Sequence, residues 1–328
     1  MVQDRTAVFV ETSARLHFGV LDLRETAGRW FGGLGAPAPG PRLVVSAAPA
    51  ATLTVEGEDA GRAAEFAARY LRHQRISGGA RVRVHQALPP HSGLGSGTQL
   101  ALAVARALAE AYARPTDVRE LTRAVGRGRR SAVGTWTFDL GGLVVEGGRR
   151  PDRDGCAPLI AQLPLPADWR CVVAIPAAEQ PGLSGAAEDA AFGKLPCPAE
   201  RDVEKVAYLV LMVMLPAAAE GDLAAFGRAL TEVQEITGRW FATLQGGAFA
   251  QGPSESLIRQ MHGWGACGVG QSSWGPAVYG IVSGAAAAAR LAAQVRSAVG
   301  DGGLVFEGAF PNHGARVWRD AEVEASGF

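Results

Sequence analysis

The chain has 328 residues, of which 48% are hydrophobic and 20% charged. That composition supplies a full apolar core and excludes wholesale disorder. Its 32 Lys+Arg balance 32 Asp+Glu, a net charge of zero that argues against a protein coating nucleic acid by charge alone.

The length allows one large domain or two medium ones. The start, MVQDRTAVFVETSARLHFG, is charged and carries no apolar signal core. AVFVETSARLHFG and RLVVSAAPAATLTVEG alternate as strands do. Residues 61–74 read as a helix with Ala64, Ala67, Ala68 and Leu71 on one face, and ARVRVHQALPP reads as a strand stopped by two prolines. A glycine-rich turn leads into a helix from Thr98 to Ala113, then a helix carrying VRELTRAV, a Gly/Arg-rich stretch, and the strand GGLVVEGG. The Pro-, Gly- and Asp-rich segment from Arg149 to Pro166 is the expected boundary between an N-terminal domain over 1–160 and a C-terminal domain over 161–328. Beyond it come the strand WRCVVAIP and helices near 201–215, 222–238 and 254–262. The loop GACGVGQSSWGP, the strand AVYGIVS, an alanine-rich helix over 284–298 and the strand GLVFEGAF follow. Strands and helices alternate in both halves, so the class is α+β or α/β.

Cys156, Cys171, Cys197 and Cys267 have neither CxxC nor CxxH spacing, so no zinc site or redox dithiol is expected. Reduced thiols in a cytoplasmic protein are the expectation. The longest apolar run, Ala207–Ala219, is broken by Pro216 and is too short to span a bilayer, so no membrane partner is expected.

The main chemical signal is LPPHSGLGSGTQLALAVARALAEAY. Gly93, Gly95 and Gly97 alternate, Ser92, Ser96 and Thr98 add hydroxyls, Leu94 lies between them, and a helix starts at once. Glycines let the backbone approach a ligand closely, and the helix start offers free N–H groups and a positive dipole end. The loop lacks the lysine of GxxxxGK[ST] and the last glycine of GxGxxG, so it is neither of those phosphate sites. The competing reading is an ordinary turn with Ser or Thr as the helix cap.

PxxxGLGSG before an alanine-rich helix resembles the phosphate loop of the GHMP kinase superfamily. SARLHFGVLDL stands in the place of that superfamily's first motif and GVGQSSWGPAVYGIV in the place of its last. Two features depart from a kinase. Ala132, Val133 and Gly134 stand where a catalytic aspartate is sought, and the last motif ends QSSWGP. With RGRRSAVGT…GGLVVEGG, these stretches resemble the β-ribofuranosylaminobenzene 5'-phosphate synthase family. The resemblance implies a two-domain GHMP-like α+β fold, with an N-terminal ribosomal-protein-S5-like unit, a C-terminal ferredoxin-like unit and a cleft between them. It implies a pentosyltransferase that joins phosphoribosyl pyrophosphate to 4-aminobenzoate or 4-hydroxybenzoate, releasing pyrophosphate and carbon dioxide, early in tetrahydromethanopterin biosynthesis. An ATP-dependent small-molecule kinase of the same superfamily and a non-catalytic sugar-phosphate sensor are the alternatives.

For such a reaction Arg15 and His17, two apart on one strand and so on one side of it, are the expected catalytic pair: a carboxylate or phosphate clamp and a proton-transfer group. Asp22 would orient His17 or help hold Mg²⁺, or else caps a turn. Arg127, Arg129 and Arg130, with Ser131 and Thr135, are candidates for the 5'-phosphate, against a solvated arginine run. Gly268, Gly270, Gln271, Ser272 and Ser273 offer donors, and Trp274 a stacking face for the benzoate or an interface aromatic. Mg²⁺ is expected to arrive on the pyrophosphate, its protein ligands unassigned, and no organic cofactor is needed. Glu188, Asp189 and Lys194 receive no role, His73 and His91 stay unassigned, and His313 is read as structural or exposed. The apolar C-terminal helices suit a homodimer.

Overall fold

The computed structural model describes residues 6–153, 155–177 and 190–319. Two sheets organise it. The first is built on β1 (Val8–Asp22), β2 (Phe31–Ala50), β3 (Thr54–Gly57) and β4 (Gly79–Gln86), extended by β5 (Leu143–Glu146) and β6 (Leu159–Leu163). Along β1 the even residues Val8, Val10, Thr12, Ala14 and Leu16 are buried while the odd ones are partly exposed, the period-2 signature of a sheet with one packed face. Helix α2 (Ser96–Ala111) lies on that face. Its alanines make a slim helix that approaches the sheet closely, and eleven of its sixteen residues are buried. Helices α1 (Ala60–His73), α3 (Val118–Ala124) and α4 (Val133–Asp139) pack around it.

The second sheet has strand order β10-β7-β9-β8, from β7 (Trp169–Ile175), β8 (Gly268–Gln271), β9 (Val278–Ser283) and β10 (Leu304–Ala309). The order is the 4-1-3-2 of a ferredoxin-like split βαβ, as expected from the resemblance. Alternation again decides the packing. Val172, Ala174, Val278 and Val282 meet α8 (Pro253–Gly263) and α9 (Ala285–Val299), while Cys171, Val173, Tyr279 and Ile281 join the main core. There α7 (Leu223–Gln245) supplies Phe226, Leu230 and Val233, and the ring of Phe18 of β1 packs tilted against Tyr279 at 5.2 Å. The two units thus share one continuous core. Helix α5 (Glu200–Tyr208) runs through a π-helical segment, Leu209–Met214, into α6 (Leu215–Glu220).

The expected cut near residue 160 falls within a strand of the first sheet. Leu159–Leu163 is a strand, paired antiparallel with β5, so the first sheet extends past the cut. The chain also returns at its end: β11 (Arg316–Arg319) pairs with β1. Edge strands this short, flanked by Pro and Gly, are stabilised by the neighbour they pair with and carry little pattern of their own. The segment GACGVGQSSWGP is likewise not all loop, since its centre is β8. All four cysteines are free thiols. No described helix is long and apolar enough to cross a membrane.

Candidate active site

Two irregularities in β1 set the site. Its register against β2 shifts between Ser13 and Arg15 and again between His17 and Gly19. Bulges of this kind re-aim side chains, and these two bracket the Arg15–His17 pair. Both residues line a cavity of about 550 Å³ between the two units.

The glycine loop forms one wall. Gly93 and Gly95 have φ of 80° and 75°, in the left-handed region, and Gly95 is itself the residue that starts α2. No side chain caps the helix, so the competing reading of a Ser or Thr cap does not hold; Thr98 and Gln99 donate their amides to the Gly95 carbonyl. A helix start without a side-chain acceptor is open to an anion. A Cβ at Gly95 would lie 2.8 Å from Arg15 Cγ, and one at Gly97 2.9 Å from Arg127 Nη2. The missing side chains therefore make room for two arginines as well as for a ligand.

Arg15 Nη1 donates to the Gly93 carbonyl and, at 3.4 Å, to Ser272 Oγ. Ser272 Oγ in turn donates to the Gly93 carbonyl at 2.8 Å and accepts the His17 amide at 3.0 Å. Ser272 is fully buried. It is the bolt that joins β1, the glycine loop and the last motif, and it does not line the cavity.

Arg62, Arg127, Arg129 and Arg130 join Arg15 around the cavity, and no Asp or Glu of the described residues is among its lining. Arg127 sits over the Phe66 ring at 4.9 Å and Arg130 over Phe192 at 6.0 Å. Asp59 holds Arg62. In such a field an anion gains charge-assisted hydrogen bonds that water cannot match. Another part of the lining is aromatic. Phe241 and Trp274 meet edge to face at 4.9 Å, and Phe192 completes the cluster at 5.8 Å from each, with Phe31 5.3 Å from Phe192.

Of the residues singled out in the sequence, Ser92, Gly93, Gly95, Ser96, Gly97, Thr98, Arg129, Arg130, Ser131, Gln271, Ser273 and Trp274 line the cavity. Besides Ser272, four others have different surroundings. Leu94 is fully buried in the core. Thr135 is fully buried inside α4, its hydroxyl without a hydrogen bond. Gly270 is packed against Gln234 and Tyr279, where a Cβ would lie 2.6 Å and 2.5 Å from their atoms. Asp22 accepts the Arg24 amide at 2.7 Å, the turn-capping alternative, and does not line the cavity. Lys194 also lies off the wall, and Glu188 and Asp189 lie outside the described residues. His73 pairs with Glu120 on the surface, His91 lines the cavity and His313 is exposed.

Sequence reading missed Arg62, Phe192, Gln234 and Phe241. Gln234 ties the units together: its amide donates to the Phe18 carbonyl at 2.7 Å and its oxygen accepts the Gln271 amide at 2.8 Å. It also missed Glu146, which is fully buried behind Ser131.

Models of the GHMP kinases N terminal domain and the GHMP kinases C terminal match residues 60–139 and 214–301. A β-ribofuranosylphenol 5'-phosphate synthase from Methanothermobacter thermautotrophicus is 34% identical, covering 92% of this chain and 96% of that protein. One from Archaeoglobus fulgidus is 36% identical, covering 83% and 87%. Among solved structures, homoserine kinase from Cytophaga hutchinsonii superposes with a TM-score of 0.70 at 17% identity, over 97% of this chain and 99% of that one. Mevalonate pyrophosphate decarboxylase from Streptococcus pyogenes superposes at 0.69 and 12% identity, over 95% and 99%. At such identities the structural likeness establishes the fold alone.

Proposed function

Because the chain belongs to the β-ribofuranosylphenol 5'-phosphate synthase family of enzymes, we propose that it joins phosphoribosyl pyrophosphate to 4-hydroxybenzoate. Pyrophosphate and carbon dioxide leave, and a C-riboside remains. The relatives' product is a phenol by name, which favours the hydroxy acid over 4-aminobenzoate. The same reaction is our proposal for a step in tetrahydromethanopterin biosynthesis.

One observation carries this reading: five arginines, an uncapped helix start and an aromatic cluster line a single cavity. Breaking the C1–pyrophosphate bond builds negative charge on the leaving group, which the loop amides and arginines stabilise from fixed positions. The ring lies against Trp274, Phe241 and Phe192, with the carbon that bears its carboxylate turned to C1. His17 exchanges the proton of the acceptor's 4-hydroxyl. Its ring is kept neutral near physiological pH, since burial and then the Arg15 charge push its pKa down to about 3.

Magnesium fits this site as a companion of the diphosphate. Among the described residues no group of three His, Cys, Asp or Glu side chains is placed to hold a metal, while Ser96 and Thr98 offer hydroxyl oxygens on the wall. When bound, the ion neutralises charge on the departing diphosphate. Tyr208, Leu211 and Met212, each more than half exposed on α5 and the π-helical segment, support a homodimer through that face.

A kinase would grip ATP with the same loop, so ligand protection separates the two readings. Phosphoribosyl pyrophosphate at a hundredfold excess over its Kd is expected to add about 2.7 kcal/mol of stability. ATP at equal concentration is expected to raise the melting temperature far less. Protection by ATP alone would contradict the reading.

A further inference from the structure

Behind the cavity wall lies a chain of polar groups that the reaction above leaves without a task. His17 Nε2 is 3.2 Å from Ser131 Oγ, and Ser131 Oγ also accepts the Val133 amide at 3.2 Å. Ser131 is hydrogen-bonded on to the carboxyl of Glu146. Glu146 ends β5, is fully buried, and takes amides from Ala132 at 3.3 Å and Gly148 at 2.7 Å. A buried carboxyl with two amide donors and one hydroxyl, one step behind a cavity histidine, is costly to keep unless its charge state does something.

The polarity of the chain is fixed by counting lone pairs. A serine hydroxyl has one proton and accepts two hydrogen bonds. When Glu146 is ionised, Ser131 must donate to it. Ser131 then accepts from Val133 and from His17, so the ring proton of His17 sits on Nε2 and Nδ1 keeps its lone pair. When Glu146 is protonated and donates to Ser131, the hydroxyl proton turns to His17. Nε2 then accepts and the ring proton moves to Nδ1.

We propose that Glu146 is a positioning residue for this reaction: acting through Ser131, its carboxylate sets which nitrogen of His17 carries the proton, and it stores the proton that His17 draws from the acceptor's 4-hydroxyl. The inference rests on the function proposed above. In the forward move the O–H bond of the acceptor breaks as Nδ1 takes its proton. Nε2 gives a proton to Ser131, and Ser131 gives its own to Glu146. The electron pair left on the phenolate oxygen passes through the ring to the carbon that attacks C1. When the C–CO₂ bond breaks, its electron pair restores the ring, and the three protons return along the same path to the phenolate oxygen. No proton is consumed overall.

The titration range suits the task. Burial, opposed by the amides of Gly148 and Ala132 and by Ser131, pushes the Glu146 pKa up to about 7. The folded chain therefore holds this proton more tightly than the unfolded one. Stability from this group is complete below its ordinary value of 4.5 and is lost as pH rises through about 7. Three other ionisable groups bear on the chain. Cys156 precedes β6, and burial, with a lesser contribution from the Glu146 carboxylate, raises its thiol pKa. His17 and, beyond it, Arg15 lie on the cavity side.

The test has a readout that needs no turnover. In ¹⁵N spectra of the full chain, His17 is expected to carry its proton on Nε2 above about pH 8 and on Nδ1 below about pH 6. In Glu146→Gln, which keeps the shape but cannot ionise, and in Ser131→Ala, which breaks the chain, that dependence should vanish. Turnover in Glu146→Gln is expected to fall about a hundredfold and to lose the rise in kcat through pH 7, with KM for phosphoribosyl pyrophosphate unchanged. Glu146→Asp should restore part of the rise. A His17 tautomer indifferent to pH in the unmodified chain would overturn the proposal whatever the enzyme's substrates prove to be. So would a Glu146→Gln enzyme with the parent's pH profile. If the tautomer switches as described but neither benzoate is consumed, the inference about the chain stands and the assigned reaction fails.

Discussion

Replacing Arg15 by alanine is expected to lower kcat/KM for pyrophosphate release by about 10²–10³-fold while leaving the fold intact. Arg15 is both a cation on the cavity wall and a brace: it holds the Gly93 carbonyl and Ser272 Oγ, and its stem lies under Gly95. Removing it takes away a fixed positive charge where the leaving group develops negative charge, and it loosens the loop that presents the amides. Arg15→Lys should recover little, because an ammonium is a point charge and cannot hold two acceptors in a planar fork. Steady-state kinetics beside a thermal melt separate the two effects. Near-normal turnover in Arg15→Ala would remove the residue from the site.

Gly93→Ala is the second substitution with a large effect, and its effect is structural. At φ 80° a side chain is strained, by about 1–2 kcal/mol for an L-residue in the left-handed region. The added Cβ would also collide with the Ser272 carbonyl and lie 3.0 Å from that of Gly275, both backbone atoms of the second unit. The two walls of the cavity must then move apart. We expect a melting temperature lower by several degrees together with loss of turnover. Gly61→Ala is the matched control: it lies in α1 with open space around its Cβ, and should be neutral or stabilising by up to about 1 kcal/mol. Equal behaviour of the two variants would show that the joint at Gly93 is looser than described.

Much of the site could be read from the sequence because four contiguous stretches supply most of its wall, the Gly/Arg-rich run from Gly126 to Ser131 among them. The glycine loop, the RLH of β1 and the QSSW turn each place several wall residues together, and their order along the chain suffices. The failures share a cause. Asp22 and Thr135 are polar residues near the right motifs, but whether such a side chain faces the cavity or a neighbouring backbone depends on how the strand end and helix α4 are rotated, which spacing does not encode. Phe241 and Gln234 look like ordinary members of an amphipathic helix, and they reach the site only because α7 packs across β1. Glu146 closes a four-residue apolar strand, where its burial is a tertiary fact. The fold was legible where period-2 and helical patterns were long. It was not in β6 and β11, which are held by their partners and not by their own residues.

The most direct test of the function is a mass balance. Purified protein is incubated with phosphoribosyl pyrophosphate, 4-hydroxybenzoate or 4-aminobenzoate, and Mg²⁺, and carbon dioxide and pyrophosphate are both counted. The arginine-walled cavity with its aromatic side predicts that the two appear in equal amounts, faster with the hydroxy acid, and not without the benzoate. Pyrophosphate without carbon dioxide, or phosphorylation of a small alcohol by ATP with neither gas nor riboside formed, would contradict it.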